Sequence, residues 1–521
     1  MADPTFDRPT LDRRALLKLA AATAAVSWGG RLQAQLRWAD NPFTLGVASG
    51  SPLADGVVLW TRLVNLPAGT AAVPVRWEIA HDEGFARVVR SGEASALPQL
   101  AHSVHVEAGG LAPDRGYFYR FTAGGWASPV GRTRTLPAAD AQVQRLRIAY
   151  ASCQRWEHGY FGAWRAMRED VPDFVLFLGD YIYEYPGAAN AVRANDGVWA
   201  TTLDDYRRRY ALYRTDADLQ AMHRAAPWIT TWDDHEVQND YAGEFPGNAG
   251  PEVADFAARR AAAYQAYYEH MPVRASAWQR AVGQGELRIY TQQRFGTLAD
   301  LCVLDTRQYR GRQVCNKDGK FGSSTADRAG CAEWNDPART LLGAAQEQWL
   351  DAQLARRGAT WTVLGQSTLF GARDMKPGPG QSFWNDGWDG YAAARSRLVA
   401  SLQKNAAPNP VLLGGDVHEN WVGHVKADYA RPDSANVGVE FCGTSITSRT
   451  GGADKAAERF AENPHFVFAD GYKRGYGIAD FTPRRLEVTL RAMDDVTRRD
   501  MQASVLARFA VEAGRPVVER A

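Results

Sequence analysis

The chain has 521 residues, with 60 Lys and Arg against 59 Asp and Glu, a formal charge of +1. That balance excludes a protein that holds a long nucleic acid by surface charge, because displacing condensed counterions needs a basic surplus. With 45% hydrophobic and 23% charged residues, the composition is that of a soluble globular protein, neither disordered nor membrane-embedded. Its length suits about two to four domains.

Residues 1–34 read as an export signal. Arg13 and Arg14 precede Ala15-Leu16-Leu17-Lys18 and an Ala-rich apolar stretch to Val26, and Leu32-Gln33-Ala34 supplies a cleavage pattern. Paired arginines ahead of a short apolar region look like a twin-arginine signal; the alternative is an amphipathic N-terminal helix. The stretch is too short to cross a bilayer core of about 30 Å. The expectation is a protein handed to the twin-arginine export machinery and released, soluble and monomeric, in the periplasm or outside the cell.

Residues 42–137 are predicted to form a small β-sandwich of the fibronectin or immunoglobulin kind. Strands are predicted at 57–63, 75–79, 102–106 and 117–121, each alternating at period two. Leu111-Ala112-Pro113 followed by Tyr117 and Tyr119 looks like a tyrosine corner, a packing feature without chemistry. From residue 145 the pattern changes. Buried strands are predicted at 146–151, 174–178, 228–232, 298–304, 361–364 and 411–413, and helices at 161–168, 203–213, 253–270, 344–356 and 392–404. Strands return at 437–442, 476–481 and 486–493, and the spacing over 501–521 is helical. Residues 145–521 are therefore expected to be one mixed α/β domain without internal repeats.

Polar clusters stand where the predicted strands end. Ala151-Ser152-Cys153-Gln154 closes the first and Gly179-Asp180-Tyr181-Ile182-Tyr183-Glu184 the second. Trp232-Asp233-Asp234-His235-Glu236 closes the third and runs on to Val237-Gln238-Asn239-Asp240, and Gly414-Gly415-Asp416-Val417-His418-Glu419-Asn420 closes a distant one. In open α/β sheets ligands sit outside the carboxyl ends of strands, so separated clusters can meet in one site. Thiolate, carboxylate, phenolate and imidazole are metal-ligand chemistry. Taken singly, each has a structural reading: a buried thiol, a turn, a helix N-cap, a hydrogen-bonded histidine.

The motifs Gly-Asp-Tyr-Ile-Tyr-Glu, Trp-Asp-Asp-His-Glu-Val and Gly-Gly-Asp-Val-His-Glu-Asn resemble the alkaline phosphatase D (PhoD-type) family of metallophosphoesterases. Phe43 to Gly50, Gly56 to Arg62, Tyr267-Tyr268-Glu269-His270-Met271-Pro272, Leu304 to Arg310 and Asn463-Pro464-His465-Phe466 carry the same resemblance across essentially the whole chain. It implies a β-sandwich followed by a metallophosphoesterase-type αββα sandwich. It also implies a ferric ion (Fe3+) held by Cys153, Asp180, Tyr183 and His418. Asp180 would bridge to calcium (Ca2+), completed by Asp416 and by Asn239, with Asp234 as the alternative. The implied activity is alkaline hydrolysis of phosphomonoesters and phosphodiesters through a hydroxide held by the metals, serving phosphate acquisition. His235 would assist the leaving group. Phospholipase D activity on phospholipid is the alternative within the family, and a non-catalytic metal-binding surface module is the alternative outside it.

The physical chemistry agrees with this division of ligands. Thiolate and phenolate donation suits highly charged iron, whereas hard carboxylate and amide oxygens suit calcium. Arg307 and Arg310 read either as phosphate contacts or as internal ion pairs. Of the five cysteines, Cys315 and Cys331 flank a Gly-, Ser- and Asp-rich loop that a disulfide would close, and Cys302 and Cys442 are expected as buried thiols.

Overall fold

The computed structural model describes residues 38–280, 287–450 and 453–521, so the export-signal segment 1–34 lies outside the described residues. Two large sheets organise the chain. At the centre of the ten-stranded sheet, Leu146–Ala151, Phe174–Leu178 and Trp228–Thr231 run parallel. The seven-stranded sheet is built around Ala299–Val303, Trp361–Gly365, Pro410–Gly414 and Asn436–Cys442, again parallel. Parallel strands covered on both faces must be apolar throughout, and Phe174–Leu178 is the run Phe-Val-Leu-Phe-Leu, buried at every position.

The sheets pack face to face through Ile148, Leu176 and Ile229 against Leu301, Val363 and Leu413. Helices Gly162–Glu169, Leu203–Arg214, Ala217–His223 and Phe256–His270 cover the outer face of the first sheet, with Trp164, Tyr210 and Tyr264 in that core. Ala344–Leu354 and Ala392–Lys404 cover the second through Leu350 and Leu398. The layers are thus helix, sheet, sheet, helix. Helix starts follow local side-chain chemistry. Thr202 and Asp205 form a reciprocal capping box ahead of Leu203–Arg214. Phe256–His270 begins three residues later than the spacing predicts, because the Asp255 carboxylate accepts from Ala258 N–H and fixes the first turn there.

The N-terminal strands also form two layers. Val73–Ala80, Val88–Ala96 and Gly116–Ala123 make one, packed through Val75, Ile79 and Tyr119 onto Val57, Leu59 and Val104 of the other. The Tyr117 hydroxyl accepts from Ala112 N–H at 2.9 Å, a tyrosine corner. The second layer, Val47–Leu53, Gly56–Arg62 and Ser103–Gly109, continues the ten-stranded sheet. It joins in parallel where Gly50 lies opposite Trp228. A Cβ at Gly50 would stand 2.6 Å from the Trp228 carbonyl oxygen and 2.8 Å from that of Pro272, so only glycine lets the two backbones approach.

One expectation is overturned. The helical spacing over 501–521 does not produce a helix: Ala503–Glu512 is a strand paired antiparallel with Arg485–Met493 near one end of the ten-stranded sheet. Leu506, Phe509 and Ala510 mimic an i, i+3, i+4 face, but Ala507, Phe509 and Val511, at period two, are the buried residues that enter the core between the sheets. The apolar edge presented by Leu486, Val488 and Leu490 decides between the patterns.

Candidate metal centre

The four strand-end clusters meet where the carboxyl ends of both sheets come together. An isolated parallel bridge between Ser152 and Ser445 ties the first sheet's loop to the second's. The chain bends sharply at each cluster: Cys153 (φ 59°), Asp180 (59°), Asp240 (56°), Asp416 (67°) and His418 (57°) all occupy the left-handed region. Non-glycine residues there cost on the order of 1–3 kcal/mol each, so the surrounding structure must hold them. Gly179 enables one bend, with φ 108° and no room for a Cβ, which would stand 2.5 Å from Asp233 N.

Ligand atoms of Cys153, Asp180 and His418 lie within 4.8 Å of one another. Tyr183 Oη donates to Asp180 Oδ2 at 2.7 Å, stands 3.3 Å from His418 Nε2 and accepts from Ser448 Oγ at 2.7 Å. His418 Nδ1 faces the Arg449 carbonyl at 2.9 Å and donates to it, which leaves the Nε2 lone pair for the centre. Asp180 belongs equally to a second group with Asp234 and His235, and Asp234 to a third with Asp240 and Asp386, each within the same 4.8 Å. The expected ligands Cys153, Asp180, Tyr183, Asp234 and His418 are thus brought together. Asp416 lies alongside, its Oδ2 accepting from Thr368 Oγ1 at 2.6 Å. Asn239 is half-buried on the loop that carries Asp234, its Oδ1 accepting from Tyr185 Oη at 2.8 Å and its N–H donating to Glu184 at 2.7 Å.

Burial and clustered carboxylates set the protonation of the centre. Burial, then the Asp180 and Asp416 charges, push the Cys153 thiol far up. Burial likewise raises Asp180 and Asp416, reinforced by neighbouring carboxylates. Burial also works against Asp234, but Arg307 and His235 hold it below the ordinary carboxylate range. His235 is driven well up despite burial, because Glu184, Asp180 and Asp234 surround it. Burial, then Arg474, lower His418 to about 3, so its ring is neutral, as a ligand must be. A cation among these donors would remove the cost of ionising thiol, phenol and carboxylates at once. A thiolate sulfur, a phenolate oxygen, an imidazole nitrogen and a carboxylate fit iron, and the carboxylate-rich side of the cluster fits calcium.

Several residues here carried no assigned role in the sequence. Glu184 Oε2 accepts from His235 Nδ1 at 2.7 Å. Glu236 accepts from the N–H groups of Asp180, Tyr181 and Asp233, tying two strand ends together. Asp386 follows the two-residue antiparallel strand Phe383–Trp384, which no apolar run in the sequence announces, so the strand-end rule does not reach it. Arg307 is an internal ion pair, fully buried, at 2.5 Å from Asp233 and 2.7 Å from Asp386. Arg310 also pairs with Asp386, at 2.9 Å. Cys315 is bonded to Cys331, and Cys302 and Cys442 are buried free thiols.

Residues 148–490 match the family profile described as PhoD-like phosphatase, and residues 29–137 match that of its N-terminal domain. The chain belongs to the PhoD-like phosphatase family. It is 43% identical to alkaline phosphatase D of Bacillus subtilis (strain 168), across 98% of this chain and 89% of that protein. The solved structure titled "Structure of PhoD" superposes with a TM-score of 0.87 at 43% identity, covering 93% of both chains. Among the described residues no helix is long and apolar enough to cross a membrane.

Proposed function

We propose that this PhoD-like phosphatase is an exported two-metal hydrolase of phosphomonoesters and phosphodiesters that serves phosphate acquisition. The layered helix, sheet, sheet, helix body behind a two-layered β segment agrees with a sandwich followed by a metallophosphoesterase-type domain. The observation that carries the reading is the convergence of Cys153, Asp180, Tyr183 and His418, with Asp180 shared by the neighbouring acidic group. Cys153, Asp180, Tyr183 and His418 would hold Fe3+, and Asp180, Asp416 and either Asn239 or Asp234 would hold Ca2+. When bound, these ions supply Lewis-acid polarisation of phosphoryl oxygens and of water.

The protein's own residues supply position and protons. Glu184 fixes the His235 ring through Nδ1, and the ring lies against Tyr183 with centroids 4.0 Å apart. Glu184 on Nδ1 favours the charged ring, and Nε2 is the nitrogen left to serve the leaving oxygen. Glu236 holds the Asp180 loop and the Asp233 loop in one register, so the donors are preorganised before substrate arrives.

The test is metal analysis of purified protein with hydrolysis of p-nitrophenyl phosphate, bis-p-nitrophenyl phosphate and phosphatidylcholine, with and without calcium. Asp180→Ala is expected to lose both ions and at least about a thousandfold in kcat, more than Cys153→Ala, which touches one group only. Iron-loaded protein that cleaves none of the three esters defeats the enzymatic reading. Activity indifferent to chelator and to both substitutions defeats the metal assignment.

A further inference from the structure

The chemistry above leaves open which group meets the phosphoryl charge that faces away from the metals. Most arginines around the centre are committed to the protein itself. Arg307 is locked between Asp233 and Asp386. Arg474 donates to the carbonyls of His418, Ser448 and Gly471, and Arg209 to those of Tyr183, Tyr185 and Val198 and to Asp196. Arg193 clamps Asp216 and lies over Trp156.

Arg155 differs. Its main chain is pinned on both sides, its N–H donating to Ser448 Oγ at 3.2 Å and its carbonyl accepting from Thr447 Oγ1 at 2.7 Å. That Ser448 hydroxyl also contacts Tyr183 Oη, at the edge of the centre. Arg155 Nε donates to Glu157 Oε2 at 3.3 Å, and Glu157, only 1% exposed, is itself held by Asn195. The guanidinium carbon stands 4.6 Å from the Tyr185 ring centroid and 5.6 Å from that of Tyr183. The side chain is 19% exposed, and among the described residues Nη1 and Nη2 make no hydrogen bond. A buried carboxylate and two aromatic faces therefore orient the guanidinium beside the centre, while its terminal donors remain unspent.

We propose that Arg155 binds a non-bridging phosphoryl oxygen of the ester and selects phosphomonoesters over phosphodiesters; this rests on the phosphoric ester hydrolase reading above. A guanidinium presents parallel N–H groups that match phosphate oxygens, and charge-assisted hydrogen bonds are the strong ones. A monoester brings three terminal oxygens and a second negative charge. With the metals bound, two of those oxygens would be theirs, and the third would face Arg155. In a diester that position carries the second ester group, which offers the guanidinium no charge.

Arg155→Met and Arg155→Lys are compared with the wild-type metalloprotein. Hydrolysis of p-nitrophenyl phosphate and of bis-p-nitrophenyl phosphate is measured beside binding of inorganic phosphate by calorimetry, metal content and unfolding temperature. The expected result for Arg155→Met is a loss of about 10- to 100-fold in monoester kcat/KM and in phosphate affinity. The diester should change less than about threefold, metal content and unfolding temperature should hold, and Arg155→Lys should recover part of the monoester loss because it keeps the charge. Equal losses on both esters, loss of bound metal, or unchanged phosphate affinity would overturn the assignment. Wild-type protein that cleaves neither ester overturns the hydrolase reading instead, and the phosphate-binding comparison still decides on Arg155.

Discussion

Arg307→Met tests whether the guanidinium at the heart of the acidic centre is structural or reads substrate. Arg307 is fully buried, 2.5 Å from Asp233, 2.7 Å from Asp386 and 3.8 Å from Asp234. Removing one partner of a buried pair leaves an uncompensated charge and costs about 3–5 kcal/mol. Asp386 keeps Arg310 at 2.9 Å, and Asp234 keeps His235, so the loss falls mainly on Asp233, which retains only Ser367 Oγ at 2.8 Å. The expected destabilisation is therefore that of one broken pair, about 3–5 kcal/mol, rather than two. Against a typical folding stability of about 5–15 kcal/mol, the variant should fold but unfold early in urea. Arg307→Lys, with a compact ammonium that cannot fork between two carboxylates, should lose an intermediate amount. In Arg307→Met/Asp233→Asn the stranded charge is gone, and most of the stability should return as a favourable coupling in the double-mutant cycle. Equilibrium urea unfolding of wild type, Arg307→Met, Arg307→Lys, Asp233→Asn and the double variant measures each term. A variant of wild-type stability whose only defect is a raised KM would refute the ion-pair reasoning and return Arg307 to the role of phosphate contact.

Two further outcomes are expected. Tyr183→Phe removes the phenol that bridges Asp180 and His418, so the purified iron-loaded protein should lose the phenolate share of its visible charge transfer and keep that of the Cys153 thiolate, with its fold retained; an unchanged visible spectrum would remove Tyr183 from the iron. The junction of the N-terminal strands with the α/β body should be sensitive to acid. His105 Nε2 meets the Met271 carbonyl at 3.0 Å and its ring stacks on Tyr268, and burial lowers its pKa from 6.5 to about 4. The unfolded imidazole takes up a proton near 6.5 and the folded one does not, so stability present above that pH is lost as pH falls towards 4. His105→Phe keeps the ring and should reduce the acid slope by the share of one proton, the other histidines that burial holds low keeping the rest; a slope equal to wild type would count against the assignment.

The clusters at the ends of Leu146–Ala151, Phe174–Leu178, Trp228–Thr231 and Pro410–Gly414 were legible in the sequence because a buried parallel strand is a short apolar run, and the polar residues that stop it are adjacent in the chain. Cys153, Asp180 and His418 follow from that local grammar, and the family resemblance assigned them to one metal. Tertiary structure alone decided which polar neighbours face inward. Asp386 meets Asp234 and Asp240 across nearly 150 residues of chain, and Arg307 could be told from a phosphate contact only by the carboxylates that surround it. Packing also decided two matters of architecture. Residues 503–512 became a strand because an apolar sheet edge offered both hydrogen bonds and burial to a segment whose spacing fitted either pattern. The N-terminal strands extended the larger sheet because Gly50 lets its backbone meet Trp228. Periodicity shows which face of a segment seeks burial; the partner that provides it comes from elsewhere in the chain.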